Sequence, residues 1–411
     1  MNKTKWAVAL LAVALILGLA SLLVACGEET TTTTAPPATT PTTVGSTTTM
    51  APATTEAPTT TTEAGVPDTG QTWNLKFSYG VPQRASLYAA QLEPWAKAVE
   101  AATEGRVKIE HYADGTLAKD DQQYDFLLSG ASDISVIEPE YAPGIFPVFE
   151  VGSLPRLFSD PAMASAVMWD VAQKYPEEFK DVQLLGITCI SGAQYVGNVP
   201  VKVPTDLKGV KMRSGGKVES WILQSIGSEP IDIMLGDLGT SMERGLADGA
   251  FLSWSMVFVS GAKDFTKDRT VLDLMYRPWV IVMNKDVWAS MPTKIQEAVL
   301  SVSGQIPSVI YSVANEEVTQ GDRATLEMID GKKGNPPVYV PTADEMAQWN
   351  EAVKPVWQMW IDEFSKSKSP YAANGQEILD FIAGKAAEYK SYYADYKDEA
   401  QPILDAMPKE E

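Results

Sequence analysis

Trp73-Asn-Leu-Lys-Phe-Ser-Tyr79 alternates apolar and polar residues with period two, the pattern of a strand with one buried face. Behind it Tyr88, Leu92, Trp95, Val99 and Ala102 recur at spacings of four and three, which predicts a helix burying one stripe. Pro94 marks a kink or a late start of that helix. Gly105 ends it, and Val107, Ile109 and His111 then alternate with Lys108, Glu110 and Tyr112 as a second strand. Strand, helix and strand in this order make a β-α-β unit, which favours a parallel sheet and an α/β fold.

The rhythm continues outward. Val182 to Ile190, Leu207 to Met212 and Trp279 to Met283 read as strands, and Val218 to Ile226 as a helix. From Ile295 the apolar residues Val299, Val302, Ile306, Val309 and Val313 keep spacings of three and four, so one long helix is expected, kinked at Pro307. The remaining aromatic-rich stretch, with Trp357, Trp360, Phe381 and Tyr389, reads as helical. No internal repeat is evident.

Towards the N-terminus the pattern changes. Two lysines precede Trp6 to Ala25, an uncharged and almost wholly apolar run, which reads as an export signal or a membrane span. Leu23-Val-Ala-Cys26-Gly27 resembles the lipobox of bacterial lipoproteins, in which the cysteine is lipidated. Residues 1–25 are thus expected to be a signal peptide and Cys26 a lipid anchor. An uncleaved helix is the alternative, and both place the rest of the chain outside the cytoplasm. From Thr30 to Thr62 more than half the residues are threonine, most of the others proline and alanine; such a stretch has no apolar face to bury. Residues 26–71 are read as a disordered, lipid-anchored spacer.

Composition removes several function classes. Lys+Arg 33 against Asp+Glu 53 leaves a net charge of −20, which repels phosphate backbones and argues against nucleic-acid binding. One histidine and two cysteines cannot build a Cys/His zinc site or a disulfide framework. Cys189 reads as a buried, inert thiol and His111 as a satisfied core histidine. Nucleophile elbow, phosphate loop, dinucleotide fingerprint and metalloprotease helix are all missing. Gly215-Gly216-Lys217 lacks the earlier glycine of a phosphate loop. The acid pairs Asp120/Asp121 and Glu138/Glu140 allow a glycosidase dyad, although capping or solvation is the commoner use of such pairs.

Six further stretches, taken in order, resemble one family, the DctP-type solute-binding proteins of TRAP (tripartite ATP-independent periplasmic) transporters. They are Gly105-Arg-Val-Lys-Ile109 with Ala113-Asp-Gly-Thr-Leu117; Ser129-Gly-Ala-Ser-Asp-Ile134; Tyr141-Ala-Pro-Gly-Ile-Phe-Pro147 with Leu154-Pro-Arg-Leu-Phe158; Pro204-Thr-Asp-Leu-Lys-Gly-Val-Lys-Met-Arg213; Leu246-Ala-Asp-Gly249; and Val282-Met-Asn-Lys285 with Trp288-Ala-Ser-Met-Pro292. The resemblance implies a two-lobed, periplasmic-binding-protein-like clamshell with a long helix spanning both lobes. Lobe I would take residues 72–190 and about 280–320. Lobe II would take 191–279 and about 321–411, with the C-terminal helices.

It also implies that Arg213 forks onto a ligand carboxylate, a role that suits a planar guanidinium that never deprotonates. Glu138 falls where some members place a pocket acid, and Trp254 where one branch carries a wall tryptophan. Ala250-Phe251-Leu252-Ser253 replaces the polar side chains of sialic-acid and small-dicarboxylate binders, and Leu235 replaces an aromatic, so Phe251, Leu252 and Leu235 are expected as apolar walls. Tyr79, Tyr141 and Tyr195 are placed near the pocket by proximity to the matched stretches. The expected protein is an extracytoplasmic receptor for a small organic acid, an aromatic or apolar monocarboxylate, on the outer face of the cytoplasmic membrane. Its partners would be the small and large TRAP membrane subunits, with no catalytic residue, metal or cofactor. The alternatives are a binding protein of an ABC importer, a sensory ectodomain, or a tethered hydrolase using carboxylates such as Glu138 or Asp121.

Overall fold

A computed structural model describes residues 68–85 and 87–407. The expected signal segment, Cys26 and the whole threonine-rich stretch from Thr30 to Thr62 lie outside the described residues.

Ten strands form two five-stranded sheets. The first holds β1 (Trp73–Ser78), β2 (Val107–Tyr112), β3 (Ile134–Ile137), β4 (Val182–Cys189) and β10 (Pro278–Asn284), in the spatial order β2-β1-β3-β10-β4. The second holds β5 (Gln194–Gly197), β6 (Lys211–Ser214), β7 (Glu229–Asp232), β8 (Gly249–Leu252) and β9 (Asp268–Thr270), in the order β7-β6-β8-β5-β9. β1 runs parallel to β2 and β3, as the opening β-α-β pattern requires. β10 is antiparallel to both β3 and β4, so the sheet is mixed. Within the stretch Leu207 to Met212 the strand begins at Lys211, after Lys208-Gly209, and Pro204–Leu207 before it closes into a 3-10 turn.

The chain crosses between the sheets twice, from Cys189 to Gln194 and from Thr270 to Pro278. The crossings are hydrogen-bonded to each other: Ile190 N–H donates to Arg277 O at 3.0 Å, Ala193 N–H to Met275 O at 3.1 Å, and Leu274 N–H to Ala193 O at 2.9 Å. Two α/β lobes therefore share a doubled connection.

Helix α1 (Glu93–Ala102) covers the first sheet through Trp95, Ala96 and Val99. Tyr88–Leu92 leads into it as a π-turn, since Pro94 has no N–H to give to the ordinary carbonyl and the ring widens the preceding turn. The regular α-helix thus starts at Glu93 with Pro94 in its first turn, later than the apolar stripe that begins at Tyr88. Helix α2 (Pro161–Lys174) is capped by Asp160, which accepts from Met163 N–H at 2.8 Å, and packs on β4.

Where one long helix was expected there are two, α3 (Thr293–Leu300) and α4 (Gln305–Lys333). The break falls at Gly304, whose φ of +94° is closed to side chains, and whose N–H is bound by Leu185 O at 2.7 Å. Pro307 causes no kink because it lies in the first turn of α4, where backbone N–H groups have no helical partner. At ~1.5 Å per residue, the 29 residues of α4 reach ~43 Å. Its first half meets lobe I, with Ser312 Oγ 2.7 Å from Ser165 Oγ and Ser308 Oγ accepting from Ile187 N–H at 3.0 Å. Further along, Thr319 bonds Ser255 of lobe II at 2.8 Å.

The last helices are shared between the lobes. Ala343–Val353 anchors to lobe II by Trp349, whose Nε1–H donates to Lys202 O at 3.0 Å. Gly375–Glu388 packs instead against α2, with Lys174 and Glu377 paired at 3.1 Å.

Gly304→Ala should cost about 1–3 kcal/mol by forcing a side chain into this backbone region. A urea midpoint lowered at unchanged m-value is the expected readout, and an unchanged midpoint would mean that the α3–α4 break tolerates a side chain.

Candidate functional site

Between the lobes lies a cavity of about 310 Å³, the size of a small organic ligand. Lobe I supplies Gly80, Val81, Pro82 and Arg84 from the loop after β1, Asp114 and Asp120 from the segment after β2, and Val136, Glu138 and Tyr141 from β3 and its end. Trp279 comes from β10, and lobe II adds Leu235, Gly236 and Val259. A neighbouring hollow of about 430 Å³, lined by Gln83, His111 and Thr116 among others, is open to solvent and draws nothing from lobe II. Of the two, the first draws its lining from both lobes.

The deep end is built by short, stiff devices. Pro139 opens a single 3-10 turn, Pro139–Tyr141, at the end of β3, which turns Glu138 and Tyr141 into the cleft. On the opposite lobe β6 ends in Arg213-Ser214, and Gly215-Gly216 leads into the helix Lys217–Ser225. A Cβ on Gly215 would come within 2.2 Å of Arg213 Nη2, and one on Gly216 within 1.9 Å of Glu140 Oε2. The two glycines make room for a guanidinium and a carboxylate rather than for a phosphate.

Charge at this end is nearly sealed from water. Arg213 is 2% exposed. Its Nε–H donates to Ile233 O at 3.0 Å, Nη1 to Glu219 Oε2 at 3.1 Å and Nη2 to the Tyr141 hydroxyl at 3.0 Å. Glu219 is fully buried and also accepts from Gly215 N–H at 2.7 Å and from Arg277 Nη2 at 2.6 Å. Arg277 reaches Glu138 Oε1 at 2.9 Å with its other arm, and these acids hold its guanidinium firmly charged. Glu140 forms no ion pair among the described residues, and burial pushes its carboxyl up to about 7 against the pull of Arg277. Burial, then the charges of Glu138 and Asp121, push Asp120 up to about 6.

Of the residues expected at the site, Glu138, Tyr141 and Leu235 line the cleft. Arg213 is immediately behind Tyr141. The others are elsewhere. Tyr79 turns to the far face, its hydroxyl 3.0 Å from His111 Nδ1. Tyr195 donates to Val199 O at 2.9 Å within the core. Phe251 packs edge-on to Trp349, and Leu252 and Trp254 are core residues of lobe II, the latter beneath Arg323. β8 is buried along its whole length, so Phe251 and Leu252 serve packing rather than the pocket, while Trp254 opens the buried helix Trp254–Val259 that follows. Sequence reasoning missed Trp279, Asp120 as a cleft residue, and Arg277 and Glu219. Only the Gly-Gly pair after Arg213 signalled a crowded spot. Cys189 is buried, and burial raises its thiol far from reactivity. Among the described residues no group of three His, Cys, Asp or Glu side chains is arranged to hold a metal ion.

The family model for bacterial extracellular solute-binding proteins, family 7, the DctP family, matches residues 77–363. The chain belongs to this family. Membership makes it a solute-binding protein of transport and not an enzyme, which also removes the hydrolase alternative; its acids are engaged accordingly, Glu138 by Arg277. The C4-dicarboxylate-binding periplasmic protein DctP of Rhodobacter capsulatus is 26% identical over 302 residues, 71% of this chain and 87% of that relative. The 2,3-diketo-L-gulonate-binding periplasmic protein YiaO of Escherichia coli is 23% identical, over 56% of this chain and 71% of that relative. Among solved structures, a TRAP solute-binding protein from Rhodoferax ferrireducens with copurified benzoate aligns at a TM-score of 0.71 and 23% identity, covering 78% of this chain and 99% of that one. One from Bordetella bronchiseptica with bound mandelate aligns at 0.68 and 21% identity, covering 77% and 99%. These likenesses establish the two-lobed fold.

Because Glu140 is raised from about 4.5 to about 7 on folding, the native state holds a proton that the unfolded chain releases. Its contribution is therefore most favourable below pH 4.5 and is lost as pH climbs through 7. Glu140→Gln should flatten that part of the profile, gaining about 1–3 kcal/mol on wild type by pH 8 and little at pH 4.5. Parallel pH profiles for the two proteins would refute the assignment.

Proposed function

We propose that this protein captures an aromatic or apolar monocarboxylate in the interlobe cleft and delivers it to the small and large membrane subunits of a TRAP transporter. Lipid on Cys26 would hold it at the outer face of the cytoplasmic membrane. The observation that carries the ligand class is the cleft itself: small, walled by Trp279, Val81, Val136, Val259 and Leu235, with a buried guanidinium at its deep end. Benzoate and mandelate bound to structures of the same fold support it.

Arg213 is the clamp in this reading. Glu219 and Ile233 O fix its plane from behind, and the edge that meets Tyr141 faces lobe I. A ligand carboxylate takes the place of the Tyr141 hydroxyl there, trading one hydrogen bond to a neutral oxygen for two to charged ones. Because the ligand then touches both lobes, it stabilises the closed form by its difference in affinity for closed and open states.

Native mass spectrometry of the intact chain in detergent, as purified and against a panel of aromatic, branched, keto and dicarboxylic acids, is the test. A retained monocarboxylate is expected, with a gain of about 2.7 kcal/mol in stability at a hundredfold excess over Kd. Arg213→Ala should weaken binding about 100-fold or more, since truncating a buried charge pair costs about 2–5 kcal/mol. Arg213→Lys should recover only part, lacking the planar fork. Undiminished binding by either variant would remove Arg213 from the site, and no binding to any acid would overturn the ligand class.

A further inference from the structure

We infer that the acids Asp120, Glu138 and Glu140 set the charge that the cleft accepts, admitting a monoanion and rejecting a dicarboxylate. The inference rests on the proposed carboxylate-receptor function and deepens it by naming residues that select among acids.

The argument is a charge count at the deep end. Two arginines are present, and both are already matched inside the protein. Glu219 takes Arg213 at 3.1 Å and Arg277 at 2.6 Å, and Glu138 takes Arg277 at 2.9 Å. Two cations and two anions close that account. Glu140, from lobe I, and Asp120, on the cleft wall, have no ion pair among the described residues and are surplus. Arg84 and Asp114 also line the cleft, one charge of each sign, and cancel in the count, while Asp121 adds only further negative charge.

A first carboxylate is accommodated because it finds the Arg213 edge now held by Tyr141, a neutral hydroxyl. The surplus acids answer its charge by taking up protons, which burial already favours for both. A second carboxylate finds no unmatched guanidinium at the deep end. It would face Asp120 and Glu138 beside the buried end of the cleft, where like charges repel more strongly than in solution. Selectivity of this kind is a built repulsion against the wrong ligand rather than an added attraction to the right one. The glycine at position 216 belongs to the device, since any side chain there would displace the Glu140 carboxylate.

Isosteric ligands separate charge from shape: 3-carbamoylbenzoate is a monoanion and isophthalate a dianion of nearly the same outline. Titration calorimetry at pH 7.5 on the intact protein should show wild type preferring 3-carbamoylbenzoate over isophthalate by about 100-fold. Asp120→Asn and Glu140→Gln, each isosteric and each tested alone, should narrow that ratio about tenfold by removing one repelling charge. Either variant suffices if the other fails to fold. The non-titrating dianion 3-sulfobenzoate should bind wild type better at pH 5.5 than at pH 7.5, and the double variant should lose that dependence. A wild type that binds both isosteres equally, or variants that leave the ratio where it was, would overturn the inference while leaving the receptor function standing. Failure of wild type to bind benzoate or any member of the panel would instead overturn the function on which it rests.

Discussion

One buried carboxylate organises this molecule. Glu219, at no exposure to solvent, receives Arg213 from its own lobe and Arg277 from the second crossing segment. A lone charge buried to this depth would cost several kcal/mol, so each member of the group is retained only because the others are in place. The requirement reaches outward. Arg277 must also satisfy Glu138 at the end of β3, and Arg213 must find Tyr141 three residues further on. Lobe I, lobe II and the connection between them are thus tied at one point, and that point is the floor of the cleft.

The same network explains why charge is concentrated at the floor, while the walls mix Trp279 and aliphatic residues with Arg84, Asp114 and Asp120. Ion pairs and glycines occupy the space where the lobes meet, leaving Trp279 and the aliphatic residues to enclose the remaining volume. Specificity for a small acid then follows from geometry on one side and from charge on the other. In the proposed reading, the acidic surplus around the arginines is the part of this cleft that tells one carboxylate from two.

Much of the fold was legible in the sequence, because it is carried by local pattern. The period-two run at Trp73, the stripe ending at Ala102 and the strand at Val107 all lie where periodicity put them. What escaped was long-range. The antiparallel insertion of β10 between β3 and β4 leaves no local trace. The helix break at Gly304 hides inside an unbroken apolar spacing, since Val302 and Val309 are both buried on either side of it. Glu138, Tyr141 and Leu235, expected from position in the chain, line the cleft, whereas Phe251, Leu252 and Tyr195 lie in the core, because an apolar residue in a central strand has the same composition whether it faces a cleft or a core. Arg277 and Glu219 were missed for a different reason: a buried ion pair is a relation between distant residues, and neither member announces the other.

The interleaving of the first sheet has a consequence for assembly on the ribosome and after export. Lobe II's sheet is drawn from one contiguous stretch, 194–270, and can form as soon as that stretch is free. The first sheet cannot, because β10, between β3 and β4, is made only after the whole of lobe II. Until residues 278–284 arrive, β3 and β4 each present an unpaired edge, a state prone to pairing with the wrong partner. The lobe that begins the described chain is therefore the last to be completed, and the high sequence separation of its closing contacts makes that step the slow one.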